Sequence, residues 1–211
     1  MISGDIPGVF EAIQKRSVRI RDAYIVAGME QLNSTRFSDL RISDLAKSCN
    51  YSVGSFYTRF EDKEGYFRAL RVATISACNI EIDRRVSVET LEQLSLKDAL
   101  EELVDLMADI FSGQYRGVLR ESLLRILEPD DPWELMRQSA RQIMANYHQT
   151  FAANLPGFTP KQAKKRLSFC FQMIVGVLQN DLVNDYHVFS TRDESLRNAL
   201  KEIVNSYMGA V

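Results

Sequence analysis

Long apolar runs are what this 211-residue sequence most plainly lacks. Its most apolar stretch, 173–178, is six residues long and contains Gly176, against the roughly 20 a bilayer-spanning helix needs. A membrane span is therefore not expected, and the opening residues lack the basic-then-apolar layout of a secretory leader. Cysteine is scarce. Cys49, Cys78 and Cys170 are odd in number and widely spaced, which argues against a disulfide framework and for a reducing, cytoplasmic setting. Small buried hydrophobes are their expected role. Glycine (10) and proline (5) are few, and no Gly/Pro/Ser linker, low-complexity segment or internal repeat divides the chain.

Residues for catalysis or metal binding are also missing. The two histidines, His148 and His187, have no His or Cys at metal-ligand spacing, so neither a metal nor a cofactor is expected. Glu101-Glu102 and Asp130-Asp131 are neighbours on a helix or in a cap, not facing carboxylates. Neither a phosphate-cradling glycine loop nor a Gly-x-Ser-x-Gly elbow occurs. An enzyme is not expected.

Charge is uneven. Between positions 13 and 60, eight basic residues (Lys15, Arg16, Arg19, Arg21, Arg36, Arg41, Lys47, Arg59) face four acidic ones. That stretch carries +4 in a chain of net −2, so the remainder carries −6. A basic head on an acidic body fits a nucleic-acid partner for the head.

Inside the basic stretch lies the most informative segment, 42–63. Ile42, Leu45, Ala46 and Cys49 fall at i, i+3, i+4, i+7, one face of a helix. Asn50 follows, a residue that accepts the left-handed backbone at a helix end. Ser52 then offers an N-cap hydroxyl for a second helix with Val53, Phe56, Tyr57 and Phe60 as its apolar set. Barely two turns long, that helix is too short to persist alone and must be braced by neighbours. Two short helices with a tight turn make a helix-turn-helix, whose second helix enters the DNA major groove. Tyr51, Ser52, Val53, Ser55, Thr58 and Arg59 are placed to face the duplex, Val53 and Ser55 at base edges. Gly54 lets the helix start come close.

The segment 45–67, LAKSCNYSVGSFYTRFEDKEGYF, resembles the DNA-binding signature of the TetR family of bacterial transcriptional regulators. Leu45-Ala46, Gly54-Ser55, Tyr57, Phe60 and Lys63 match it, and 24–37 is similar to the family's first helix and the aromatic after it. The likeness covers about residues 18–70. Arg36 and Asn50 stand where the family has Gly, and Arg41 where it has a capping Thr or Ser. Arg41 cannot cap, so Asp39 or Ser43 is expected to, and Arg41 joins the DNA-facing set. The resemblance implies phosphate contacts from the Tyr57 hydroxyl and from Lys63, which fix register without reading sequence.

Elsewhere the period is helical throughout. Residues 1–14 read as an arm or a short extra helix, which with Lys15, Arg16, Arg19 and Arg21 could reach phosphates or a minor groove. Ile25, Met29 and Leu32 give the first helix its inner face. Asp62 caps a long fourth helix to about Arg85, which should join head to body rigidly. Ser95-Leu96-Lys97-Asp98 and Thr159-Pro160-Lys161-Gln162 read as capping boxes, and Asp131-Pro132-Trp133-Glu134 and Thr191-Arg192-Asp193-Glu194 as further starts. Stops fall at Gly113, Pro129 and Pro156-Gly157.

The expected fold is thus all-α, about nine helices, with a helix-turn-helix head over 1–62 and a helical body over 63–211. For the body the resemblance implies a small-molecule effector pocket. Polar or aromatic candidates on apolar helices are Tyr115, Arg116, Arg120, Arg125, Trp133, His148 and Gln172, where an inward Arg could hold an anion. It also implies dimerisation through the last two helices, whose stripes are Leu167, Phe171, Ile174, Leu178, Leu182 and Leu196, Leu200, Ile203, Tyr207. A two-fold pair would read half-sites about 34–36 Å apart or at multiples of that spacing. The expected function is a cytoplasmic, homodimeric regulator of transcription, a repressor on a palindromic duplex operator released by its effector. The alternative is a co-activator or partner-binding module with a weakened DNA face.

Overall fold

Helix ends fall where side chains can close them. The computed structural model describes residues 6–11, 15–127, 133–184 and 189–210. Among these it holds α1 (Lys15–Leu32), α2 (Ile42–Ser48), α3 (Val53–Tyr57), α4 (Lys63–Val86), α5 (Val88–Leu91), α6 (Leu96–Ser112), α7 (Arg116–Leu124), α8 (Glu134–Phe151), α9 (Pro160–Asn184) and α10 (Glu194–Met208). No strand occurs among the described residues, so the chain is all-α as its periodicity requires. The helix beyond the expected nine is α5, a single turn closed by Ser87, which accepts from the Thr90 N–H at 3.2 Å.

Most expected caps form. Ser52 accepts from the Ser55 N–H, Asp62 from the Gly65 N–H at 2.6 Å, and Ser95 from the Asp98 N–H at 3.1 Å. Thr159 and Gln162 bond reciprocally, a full capping box. Asn50 takes the left-handed backbone at φ 58°. Three details differ. Nothing caps α2, which starts after Arg41 with no side-chain bond, while Asp39 accepts from the Ser38 hydroxyl instead. Asp193 makes no cap bond for α10, and α7 ends at Leu124. The stop at Pro129 and the Asp131-Pro132 start lie outside the described residues.

Packing divides the chain into two units. One comprises the described residues of Met1–Ala77 and Gln114–Leu135, the other those of Cys78–Gly113 and Met136–Val211. The boundary expected at 62/63, where the motif ends, is not where packing divides. The first unit keeps the first half of α4 and takes in α7, which packs on α1.

Aromatic residues fill the first unit. Tyr24, Phe37, Phe56, Phe60, Tyr66 and Phe67 pack with Leu32, Leu45, Leu70 and Val118. Phe56 and Phe60 stand edge-on to Tyr66, with centroids 5.2 and 4.9 Å apart. Room for Tyr66 comes from Gly28, where a Cβ would lie 1.9 Å from the phenol oxygen; that oxygen donates to the Tyr24 carbonyl at 2.6 Å.

In the second unit α6 packs on α9 and α10. Leu100, Leu103, Val104, Met107 and Phe111 give α6 its buried face, and Ile143 and Tyr147 of α8, Leu167 of α9 and Val204 of α10 are buried as well. Tyr147 donates to the Ala99 carbonyl at 2.6 Å, which satisfies its buried hydroxyl. All three cysteines are free thiols. Cys78 and Cys170 are buried and Cys49 half-buried, and burial pushes the Cys78 thiol up to about 12.

Candidate nucleic-acid interface

α3 has five residues and too few bonds of its own to stand unaided. Its inner side is anchored by Phe56 and Phe60 in the first unit's core. Its first turn is anchored by a residue the sequence pattern passed over. The Tyr24 hydroxyl, in α1, stands 2.7 Å from Ser55 Oγ and donates to the Ser52 carbonyl at 3.0 Å. A phenol among core positions is the signal that should have drawn notice, since a buried hydroxyl needs a partner. Burial pushes this phenol's pKa up, against the smaller opposing effect of Ser55.

The outer side of α3 is open. Tyr51, Ser52, Val53, Gly54, Tyr57 and Thr58 are exposed, Val53 by 41% and Tyr57 by 51%. A Cβ on Gly54 would meet only Ser52 Oγ at 3.8 Å, so nothing in the unit crowds that end. Arg41, next to the start of α2, is also exposed.

Besides the Ser52 cap, four of the expected duplex-facing side chains are engaged within the unit. Thr58 Oγ1 donates to the Ser55 carbonyl at 2.9 Å and accepts from Arg59. Ser55 Oγ donates to the Ser52 carbonyl at 2.8 Å and faces Tyr24, so its hydroxyl is turned from the outer side. Arg59 is buried. Its guanidinium donates to the Ser55 carbonyl and Thr58 Oγ1, each at 2.6 Å, and to the Ser17 carbonyl at 3.4 Å, closing the carbonyl end of α3. Lys63 Nζ donates to the Ser38 carbonyl at 3.0 Å and lies 4.7 Å over the Phe37 ring. The half-covered ammonium has its pKa lowered by burial.

The described part of the arm, 6–11, lies along the α3–α4 connection. Phe10 donates its N–H to the Arg59 carbonyl at 2.8 Å, and Glu61 donates to the Gly8 carbonyl at 2.9 Å. Only glycine allows this contact, because a Cβ on Gly65 would lie 2.4 Å from the Gly8 oxygen. Lys15, Arg16 and Arg19 are exposed at the start of α1, while Arg21 is buried beside Asp22.

The expected effector residues are divided between the two units. Tyr115, Arg116, Arg120, Arg125 and Trp133 belong to the first unit, His148 and Gln172 to the second. Arg120 donates to the Leu32 and Thr35 carbonyls at 3.0 and 2.8 Å, which closes the end of α1. Arg125 pairs with Glu64 at 2.6 Å and covers the Phe37 and Phe67 rings. Arg116 and Trp133 are buried and Tyr115 half-buried. His148 Nε2 bonds with the Lys164 carbonyl and Ser168 Oγ, and Gln172 sits on the exposed side of α9. A groove of about 280 Å³ between α6 and α10, lined by Lys97, Glu101, Lys201, Glu202 and Asn205, contains none of them.

The expected dimer stripe needs correction. Leu167, Ile174, Leu178, Leu182, Leu196 and Leu200 are buried in the chain's own interior, and Phe171 is half-buried. Period 3.6 marks an apolar face without saying whose core it fills. The exposed large apolar residues on these helices are Phe169 (51%), Val177, Val183 and Ile203 (49%), beside half-buried Tyr207, whose ring lies 5.3 Å from that of Phe169.

No protein-family model and no curated protein matches the sequence. Solved structures do. A protein assigned to the TetR family of transcriptional regulators from Mesorhizobium loti superposes with a TM-score of 0.67 at 16% identity, covering 93% of this chain and 96% of that one. Another TetR-family regulator, from Rhodococcus sp., gives 0.64 at 14% identity over 90% and 99%. NalD, the secondary repressor of the MexAB-OprM multidrug efflux pump in Pseudomonas aeruginosa, gives 0.60 at 19% identity over 92% and 98%. The chain has the fold of the TetR-family regulators. At these identities the likeness is one of fold.

Proposed function

We propose that the chain is a TetR-family regulator of transcription that binds duplex DNA through the outer side of α3. One observation carries this reading. The shortest braced helix of the first unit is locked on its inner side by Phe56, Phe60 and Tyr24, yet leaves Tyr51, Val53, Gly54, Tyr57 and Thr58 open to a partner. Val53 can meet a thymine methyl, and Tyr57 and Arg41 the backbone. Gel retardation with duplexes covering the DNA that flanks the gene, over a range of salt, tests this. A binding constant that falls steeply with salt and differs between duplexes is the expected result.

The active form is a homodimer joined through the exposed face of Phe169, Val177, Ile203 and Tyr207, where Gly176 is open on its Cβ side and lets a second helix approach closely. Two heads then read a palindromic operator, and the chain acts in the cytoplasm as a repressor; repressor is the role named for NalD. A small-molecule effector releases it by binding better to the form that does not fit DNA.

A second reading, a partner-binding module with a weakened DNA face, draws on the inward turn of Ser55 and Arg59. Absence of retardation even at low salt would favour it.

A further inference from the structure

Among the polar groups around α3, one belongs to a different helix and touches only the first turn. Tyr24 is fully buried, with its ring packed edge-on to Phe56 at 5.5 Å and tilted against Tyr51 at 6.0 Å. Its backbone carbonyl takes the Tyr66 hydroxyl of α4, and its own hydroxyl meets Ser55 Oγ and the Ser52 carbonyl. Ser52 is the N-cap of α3, and Ser55 supplies both the capped N–H and the hydroxyl that returns to the Ser52 carbonyl. The phenol therefore grips the turn from which Val53 and Gly54 project.

Packed rings at Phe56 and Phe60 hold α3 against the core, but burial of apolar surface is itself non-directional. A hydrogen bond has direction. We propose that Tyr24 is a positioning residue for sequence discrimination: its hydroxyl fixes the roll of α3 about its own axis, and so fixes which outward side chains meet base edges. The inference rests on the DNA-binding reading. It makes Ser55 part of the grip and not a reader of bases.

Tyr24→Phe is a mild change, since Ser55 Oγ still donates to the Ser52 carbonyl and no buried group is orphaned. The probes are a duplex selected from a random library by the wild-type protein and a scrambled duplex of the same length. With Tyr24→Phe, affinity for the selected duplex should fall roughly three- to tenfold, the effect of one hydrogen bond, and affinity for the scrambled one should stay within about twofold. Ser55→Ala should do the same, relaxing preference at several base pairs together, and the double variant should lose less than the product of the two single losses, because the two hydroxyls share one contact. Ser55→Thr, which keeps the hydroxyl, should restore discrimination.

Equal losses on both duplexes, or none on either, would overturn the proposal, because the hydroxyl would then serve stability alone or nothing. Loss of preference at a single base pair in Ser55→Ala would overturn it as well, by making Ser55 a reader. If the wild-type protein enriches no duplex, the DNA-binding reading itself fails, an outcome distinct from a wild type that discriminates and a Tyr24→Phe that discriminates equally well.

Discussion

Asn33 caps α7 from 84 residues away: its Oδ1 accepts the Gly117 N–H at 2.8 Å, while its Nδ2 donates to the Gln114 carbonyl at 3.2 Å. The local cap position, Tyr115, makes no side-chain bond, so the first turn of α7 depends on this distant amide. Asn33→Ala should lower unfolding free energy by about 1–2 kcal/mol in chemical denaturation, the range for a lost N-cap. Asn33→Asp keeps the acceptor and loses the donor, so it should fall between. Gly117→Ala should be worse than either, by about 3 kcal/mol or more, because a Cβ there would lie 2.2 Å from the Leu32 carbonyl and backbone cannot easily yield. Equal stability of Gly117→Ala and wild type would show that α1 and α7 are not packed so closely.

One titration separates the observed role of Lys63 from the one that the sequence resemblance implies. In the structure its ammonium serves the Ser38 carbonyl and the Phe37 ring, whereas the family likeness puts it on a phosphate. If DNA draws the amine away, Lys63→Ala should weaken binding to all duplexes alike and flatten the log–log salt slope by about one. If the amine stays on Ser38, the slope will hold and only the melting temperature will drop, since an exposed contact of this kind stabilises by about 1 kcal/mol or less.

Much of this was legible because it is local. Alternation at 3.6 residues, Ser52, Asn50, Asp62, Ser95 and Thr159 act within one turn of their own position, and each ends up where its chemistry demands. What the sequence hid is long-range. Ser55 on α3 and Arg59 just beyond it lie at positions open to a partner by spacing alone, and only the approach of Tyr24 and Ser17 turns them inward. Leu167 and Ile203 both belong to apolar stripes, yet the first is buried and the second half-exposed, a distinction set by which helices pack on α9 and α10. Arg120 and Arg125 look like anion binders in isolation and prove to be engaged with carbonyls, a carboxylate and two rings.

Asp109 links two arginines and gives the second unit an acid-sensitive joint. Arg85 and Arg197 each approach it to 2.7 Å, while Arg85 also pairs with Glu102, and Lys201 with Asp105. Partial burial pushes the Asp109 carboxyl up, but the hydrogen bonds from Arg85 and Arg197 outweigh it and hold the pKa below the ordinary 3.8. A folded-state pKa below the unfolded one contributes stability above that ordinary value, which is lost as pH falls through the folded-state value. Because the carboxylate is half exposed, the contribution is about 1 kcal/mol or less. Asp109→Asn should therefore be slightly less stable than wild type at pH 7, and the two should converge as the pH drops below the ordinary carboxylate range. A gap that stays constant with pH would mean that packing and not charge is at work there.

The last two helices allow the interior and the outer face to be told apart by experiment. Leu178 is fully buried on α9, so Leu178→Ala should cost about 2–5 kcal/mol of stability whatever the state of association. Phe169 and Ile203 are about half exposed, so neither supports the interior strongly. In a second copy, though, each would face apolar surface, where a carboxylate has no partner and must be desolvated. Phe169→Glu and Ile203→Glu should thus leave the circular dichroism spectrum intact while weakening self-association at least about tenfold, measured by sedimentation. Weakened pairing should in turn lower affinity for a two-half-site duplex far more than for a single half-site, since only a joined pair can bind both at once. A dimer untouched by either glutamate would place the contact on another face of the chain, and a wild-type chain that sediments as a monomer at every concentration would remove the two-fold reading altogether.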